Sequence, residues 1–253
     1  EGRAALDQEL ATKPRDAETL LMLARYLDAA GDPSAADEAL QQAWTVLVRP
    51  EERARIRLRQ AERALRRADR SAATRRFDEA VALAPDFAPA RLARAAFLGR
   101  SGRYAAAVED YAAAERSSPT DATATAGHAV ALALTGRFAT ARDVLVAGLD
   151  RMPEAVDLAD LLARLFATSP DPAVRDGARA VALADRLLTV RSGPEARETR
   201  AMALAAVGRF ADAVAVQQAL TAAVGASAPP ALIARLRSNL ARYRNEQIAL
   251  PPW

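Results

Sequence analysis

GRYAAAVEDY (Gly102–Tyr111) recurs twice downstream in altered form, as GRFATARDVL from Gly136 and GRFADAVAVQ from Gly208. Each copy is Gly-Arg-aromatic, followed by a small residue and an apolar rhythm of helical period. The first two copies lie 34 residues apart, and the second and third 72, which is twice 34 plus four. A fixed period of this size is the mark of a repeat architecture. One unit cannot bury its apolar face alone, so neighbours must stack.

The rest of the chain agrees with a helical period. Of 253 residues 51% are hydrophobic but only 5% aromatic, and Ala supplies much of the apolar count. Ala is the best helix former and lets helices approach closely. No run of alternating β-branched residues flanked by hairpin turns is present. The expected fold is all-α.

The repeated positions resemble the tetratricopeptide repeat. That unit is a helix-turn-helix with a small residue in its first helix and Gly at the turn. Ala, an aromatic and Ala follow in the second helix, with Pro near the end. Ala95, Leu98, Gly102, Tyr104, Ala107, Tyr111, Ala114 and Pro119 fit one unit throughout. Ala129, Leu132, Gly136, Phe138, Ala141, Leu145, Gly148 and Pro153 fit the next. Upstream, Ala24, Leu27, Gly31, Ala36, Leu40 and Ala43 keep the register. So do Ala61, Ala64, Ala73, Phe77, Ala80 and Pro85, with Ala68 where Gly is usual. Downstream, Ala201, Leu204, Gly208, Phe210 and Ala213 match before the register weakens at Gln217. Gly suits the backbone that ends a helix, and Pro is tolerated only where one unit stops and the next begins.

The resemblance implies a right-handed superhelical solenoid of about six units, a single array over 1–253. Its expected divisions are a partial helix over 1–16, repeats over 17–50, 54–87, 88–121, 122–155, 156–193 and 194–227, a capping helix over 229–246 and a tail over 247–253. The extra four residues fall in the fifth unit, where Ser169-Pro170-Asp171-Pro172 replaces the turn Gly. Pro restricts itself and its predecessor, so an ordered connection is expected there, with helix resuming near Asp176–Ala180. PDPAVRDGARAVALA (170–184) is similar to segments in the final repeats of large bacterial members, where the array is often appended to another domain. After GASAPP, residues 230–246 place Leu232, Ile233, Leu236, Leu240 and Tyr243 on one face. Such a helix would cover the exposed side of the last unit. The tail IALPPW has no helical continuation; it either lies back on the surface or engages a partner.

Signatures of catalysis are missing from the sequence. There is no Cys, which excludes disulfides, thiolate nucleophiles and Cys metal sites. The one histidine, His128, stands beside Ala129 in a first helix and reads as structural or groove-lining. No phosphate loop or calcium loop is present, and Glu109-Asp110 reads as a solvated helix face. No catalytic residue, metal site or cofactor is expected. Thirty-five basic against 32 acidic residues give a net charge of +3, and every basic residue except Lys13 is Arg. Arg49–Arg76 holds 11 Arg against four acidic residues. Those Arg fall at mixed spacings with Phe77 the only aromatic nearby, so a solvated face is favoured over a phosphate-binding one. Nucleic acid is therefore disfavoured as a partner. No segment is long and apolar enough to cross a bilayer. The sequence begins at Glu1 without Met, as either a processed protein or a portion of a larger one would, and leaves the compartment, cytoplasm or envelope, undecided.

In the family that the chain resembles, first helices line a concave groove that holds a peptide or helix. Register then assigns Leu21, Arg25, Leu58, Arg66, Leu92, Ala96, Arg100, Ala126, Val130, Leu134, Asp160, Arg164 and Glu198 to that groove. Glu18, Asp28, Arg55, Glu62, Asp157, Glu195 and Met202 share the same faces. The pattern is apolar at the centre, positive towards the N-terminal side and acidic towards the C-terminal side. It suits an extended segment or amphipathic helix oriented by charge. The Lys and Asn clamp of chaperone-binding members is absent at the corresponding positions. Two functions follow: a scaffold binding a protein or peptide partner, or a structural, self-associating module of a larger bacterial enzyme or envelope assembly.

Overall fold

A computed structural model describes residues 2–13, 16–224 and 228–253. Among the described residues there are 14 helices and no strand. They are α1 (Gly2–Thr12), α2 (Ala17–Ala29), α3 (Pro33–Val46), α4 (Pro50–Arg66), α5 (Arg70–Leu83), α6 (Ala88–Arg100) and α7 (Tyr104–Ser117). There follow α8 (Ala122–Leu134), α9 (Phe138–Arg151), α10 (Val156–Thr168), α11 (Gly177–Val190), α12 (Pro194–Ala206), α13 (Phe210–Ala223) and α14 (Pro230–Arg244). Residues 1 and 14–15 of the expected N-terminal helix lie outside the described residues, as do 225–227 at the end of the expected sixth repeat.

The helices alternate with tight turns because one backbone motif is used repeatedly. Gly31, Gly102, Gly136 and Gly208 have φ between 73° and 78°, and Ala68, where Gly is usual, has φ 58°. After each, the next N–H donates five residues back: Asp32 to Leu27, Asp69 to Ala64, Arg103 to Leu98, Arg137 to Leu132 and Arg209 to Leu204, all at 2.9 Å. This is the Schellman closure, which satisfies carbonyls left open at a helix end and reverses the chain. The following helices gain their own caps where Asp precedes them. Asp32 accepts from the Ala35 N–H and Asp69 from the Ala72 N–H. Gly-Arg-aromatic thus marks a helix stop, a reversal and a helix start.

Packing separates two compact units, residues up to 97 and residues 98–253. Helix pairs bury side chains against near neighbours, so buried clusters stay local. In the first unit Leu20, Ala24 and Leu27 of α2 meet Ala36, Leu40 and Ala43 of α3. A second cluster there gathers Ala61, Ala73, Phe77, Ala80 and Phe97, with the two phenyl rings 5.1 Å apart. Arg63 is 3% exposed and ties α4 to the α2–α3 hairpin through Asp28, Asp37 and the Pro33 carbonyl.

The second unit has one large core running from α6 and α7 to α14, with a smaller cluster around Ala163, Leu187 and Ala196. Small residues set the helix spacing. A Cβ on Gly127 would stand 2.3 Å from the Tyr111 ring, so only Gly lets that ring lie against α8. Burial raises the Tyr111 pKa, with the Arg100 charge opposing the shift. Between α10 and α11 the chain takes an ordered, non-helical path. Ser169 Oγ accepts from the Asp171 N–H, Asp171 Oδ1 from the Ala173 N–H, and the Asp176 N–H returns to the Phe166 carbonyl. Val174 is buried as its anchor. Asp176 then caps α11.

Candidate partner-binding face

The first helices of the second unit carry an unusual amount of burial. In α10 every residue from Leu162 to Thr168 is buried, and in α12 every residue from Ala201 to Ala205. A helix in a stacked pair buries the stripes facing its neighbours and leaves one face to solvent. Burial all round means that something covers the remaining face. On α12 that cover includes α14, and residues after α14 join the same buried cluster as α10.

The contact begins at Glu198 on α12. Its side chain is 3% exposed and receives a two-pronged pair from Arg235 of α14, Nε to Oε1 at 3.0 Å and Nη2 to Oε2 at 2.9 Å. Asn239, one turn further along α14, donates to the same carboxylate at 3.5 Å. Gln217 of α13 donates to the Leu236 carbonyl at 3.0 Å, so the departure of Gln217 from the repeat pattern serves to seat α14. Tyr243 completes the seam. It is 1% exposed, and burial first, then the Glu198 charge, push its pKa far up. Among the described residues no hydrogen-bond partner reaches its hydroxyl.

A polar cluster occupies the next helix. Arg164 Nε donates to Asp160 Oδ2 at 2.8 Å, one turn away on α10. Asp160 Oδ1 accepts from Thr199 Oγ1 of α12 at 2.5 Å. Arg164 also reaches the Glu195 carbonyl at 3.3 Å. These charges are bonded to one another and fix α10 against α12. Further on, Ala129, Val130 and Ala133 of α8, Ala141 and Leu145 of α9, and Leu161 and Leu165 of α10 form an apolar trough. Its remaining wall is Trp253.

The chain reaches that trough by a turn. Glu246 has φ 54°, and the Gln247 N–H donates to the Arg242 carbonyl at 2.9 Å. This is the same closure that follows Gly31, Ala68, Gly102, Gly136 and Gly208, used here to send residues 247–253 back across the unit. Arg242 Nε holds the Ile248 carbonyl at 2.6 Å, and Ala249 is buried in the core. Of the two expectations for IALPPW, lying back on the surface is the one observed.

The residues assigned by register fall into three groups. Ala126, Val130 and Leu134 are half-buried on α8, and Val130 lines the trough. Asp160, Arg164 and Glu198 are internally paired, and Arg164 and Glu198 are buried, so an open surface at these two is corrected: α12 and α14 supply their partners. Arg100 of the same unit is exposed. In the first unit Leu21, Leu92 and Ala96 are half-buried, Leu58 is buried, and Arg25 and Arg66 are exposed, Arg66 pairing with Asp28. The sequence reading missed Leu161, Leu165 and Trp253. The signal was available in α10, whose large apolar residues extend past the stripe that one neighbour can cover.

The basic stretch is engaged within its own unit. Arg57 lies 3.9 Å from the Trp44 ring centroid and pairs with Glu79. Arg67 pairs with Asp37 and Arg76 with Glu79. Burial lowers the Arg57 pKa, partly offset by Glu79. A polar depression of about 500 Å³ between α3, α4 and α5 has both Asp37 and Glu38 and Arg63, Arg67 and Arg76 on its walls. His128 Nδ1 lies 2.8 Å from Glu115, which also pairs with Arg151, tying α8 to α7 and α9. Among the described residues no three His, Cys, Asp or Glu gather to hold a metal ion. Among the described residues no helix is long and apolar enough to cross a membrane.

The sequence matches no protein-family model and no curated protein. Solved structures do match. The C-terminal part of a repeat protein from Cytophaga hutchinsonii gives a TM-score of 0.63 at 14% identity, covering 87% of this chain and 88% of that one. PilW, a type IV pilus biogenesis factor, gives 0.62 at 19% identity over 81% and 92% of the two chains. A repeat protein from Parabacteroides merdae gives 0.56 at 15% identity over 96% and 91%. The fold of this chain is that of tetratricopeptide-repeat proteins, an all-α helical repeat.

Proposed function

We propose that this tetratricopeptide-type chain is a non-catalytic interaction module whose second unit holds a segment of a partner protein against α8 and α10. The observation that carries the reading is the trough of Ala129, Val130, Ala133, Leu161 and Leu165. Small and branched apolar side chains on two neighbouring first helices offer a concave apolar surface with charged groups beside it. Such a surface takes an extended or helical peptide by side-chain insertion. Partner capture with the wild-type chain and Val130→Glu tests it. The charge placed in the trough should remove specific partners while the helical spectrum stays unchanged. Identical partner sets would reject this face.

A structural reading has its own support. α14 and residues 247–253 already cover the faces of α12 and α10, as a module built for support would arrange them. On that reading Val130→Glu costs stability and changes no partner.

A further inference from the structure

We propose that residues 248–253, Ile-Ala-Leu-Pro-Pro-Trp, are a built-in competitor for the trough, standing in for an extended partner segment that carries proline and an aromatic residue. The inference rests on reading the trough as the binding face and adds the chemistry of what enters it.

Three features distinguish this segment from an ordinary terminal cap. First, it is not helical, although each face it meets is a helix face that another helix could cover. Pro251 and Pro252 offer no N–H, so the segment crosses apolar surface without stranding two donors. Second, its attachment is graded. Ala249 is 2% exposed and the Ile248 carbonyl is held by Arg242, but Leu250 is 58% exposed and residues 251–253 are only half-buried. Residues 250–253 therefore leave without unseating α14. Third, Trp253 packs against the buried cluster and walls the trough, and the void left between them is about 10 Å³, no more than one water molecule could use. An aromatic side chain closing the trough beside Ala129, Val130, Ala133 and Leu161 is what a partner's aromatic residue would reproduce.

The tether sets the strength of competition. A short flexible connection gives an effective concentration on the order of millimolar. A tethered segment whose own intrinsic Kd is about 100 μM would then weaken the binding of any partner segment about tenfold relative to a chain with the trough vacated.

The test uses the 253-residue chain and an end-blocked peptide, Ile-Ala-Leu-Pro-Pro-Phe. In Trp44→Phe the indole of Trp253 is the sole tryptophan, since the chain has two. Saturable addition of the peptide should move its emission to the red as the ring is displaced. By calorimetry the peptide should bind Trp253→Ala about tenfold more tightly than wild type, and Val130→Glu added to Trp253→Ala should abolish binding. Equal binding to wild type and Trp253→Ala, lost with Val130→Glu, would overturn the competitor while leaving the trough as a binding face. Binding to neither chain would overturn the proposed partner chemistry, and partner capture with Val130→Glu would still decide the face. Concentration-dependent dimers of the wild type that dissociate on Trp253→Ala would show exchange between copies and overturn the intramolecular seat.

Discussion

Ala68 holds a backbone conformation that its four counterparts assign to Gly. A left-handed L-residue costs about 1–2 kcal/mol, and Gly gives back part of that through greater freedom in the unfolded chain. Ala68→Gly should therefore raise stability by about 0.5–1 kcal/mol in denaturant titration. Unchanged or reduced stability would contradict the left-handed turn. Gly136→Val should cost about 2 kcal/mol. Its Cβ would have open space around it, so the loss isolates backbone strain. Arg137→Ala, at an exposed side chain, should stay within about 0.5 kcal/mol. These turns were legible in the sequence because a positive φ leaves its mark as Gly. Ala68 was legible only by register. Glu246, with the same conformation, was not, since no repeat surrounds it.

At the scale of elements, α14 sits on α12 through one buried carboxylate and one unsatisfied hydroxyl. Arg235→Ala leaves Glu198 with only Asn239 and should cost about 2 kcal/mol, below a fully buried pair because Arg235 remains 43% exposed on its outer side. Adding Glu198→Gln should recover part of the loss; no recovery in the double variant would mean the pair is not coupled. Tyr243→Phe removes a buried hydroxyl that no described residue bonds, and should be neutral or stabilising by about 1 kcal/mol at neutral pH. The pH dependence carries the sign. The phenol keeps its proton in the folded chain to well above its ordinary pKa of about 10, whereas the unfolded chain releases it there. Stability is complete below about pH 10 and falls as pH rises above it, by about 1.4 kcal/mol per unit. Melting at pH 10 to 11.5 should show wild type losing ground to Tyr243→Phe; parallel curves would contradict the burial. The apolar face of α14 was readable from Leu236 and Tyr243, but Asn239 lies among them as a polar residue. Its buried place follows from Glu198, 41 residues earlier, a pairing no local pattern reveals.

For the whole molecule, period and composition indicated an all-α helical repeat, and the solved structures it matches share that fold. Local packing into two units was not readable, because each repeat looks alike to the pattern that defines it. Nor was the occupied trough, because IALPPW carries no periodicity and its fit depends on helices more than 80 residues earlier in the chain. The account turns on where Trp253 rests. A nuclear Overhauser spectrum of the 253-residue chain, with methyl groups labelled, answers this most directly. Cross-peaks from the Trp253 indole to the methyls of Val130, Leu161 or Leu165 are predicted. An indole with random-coil shifts and no such cross-peaks would contradict the occupied trough and the competition built on it.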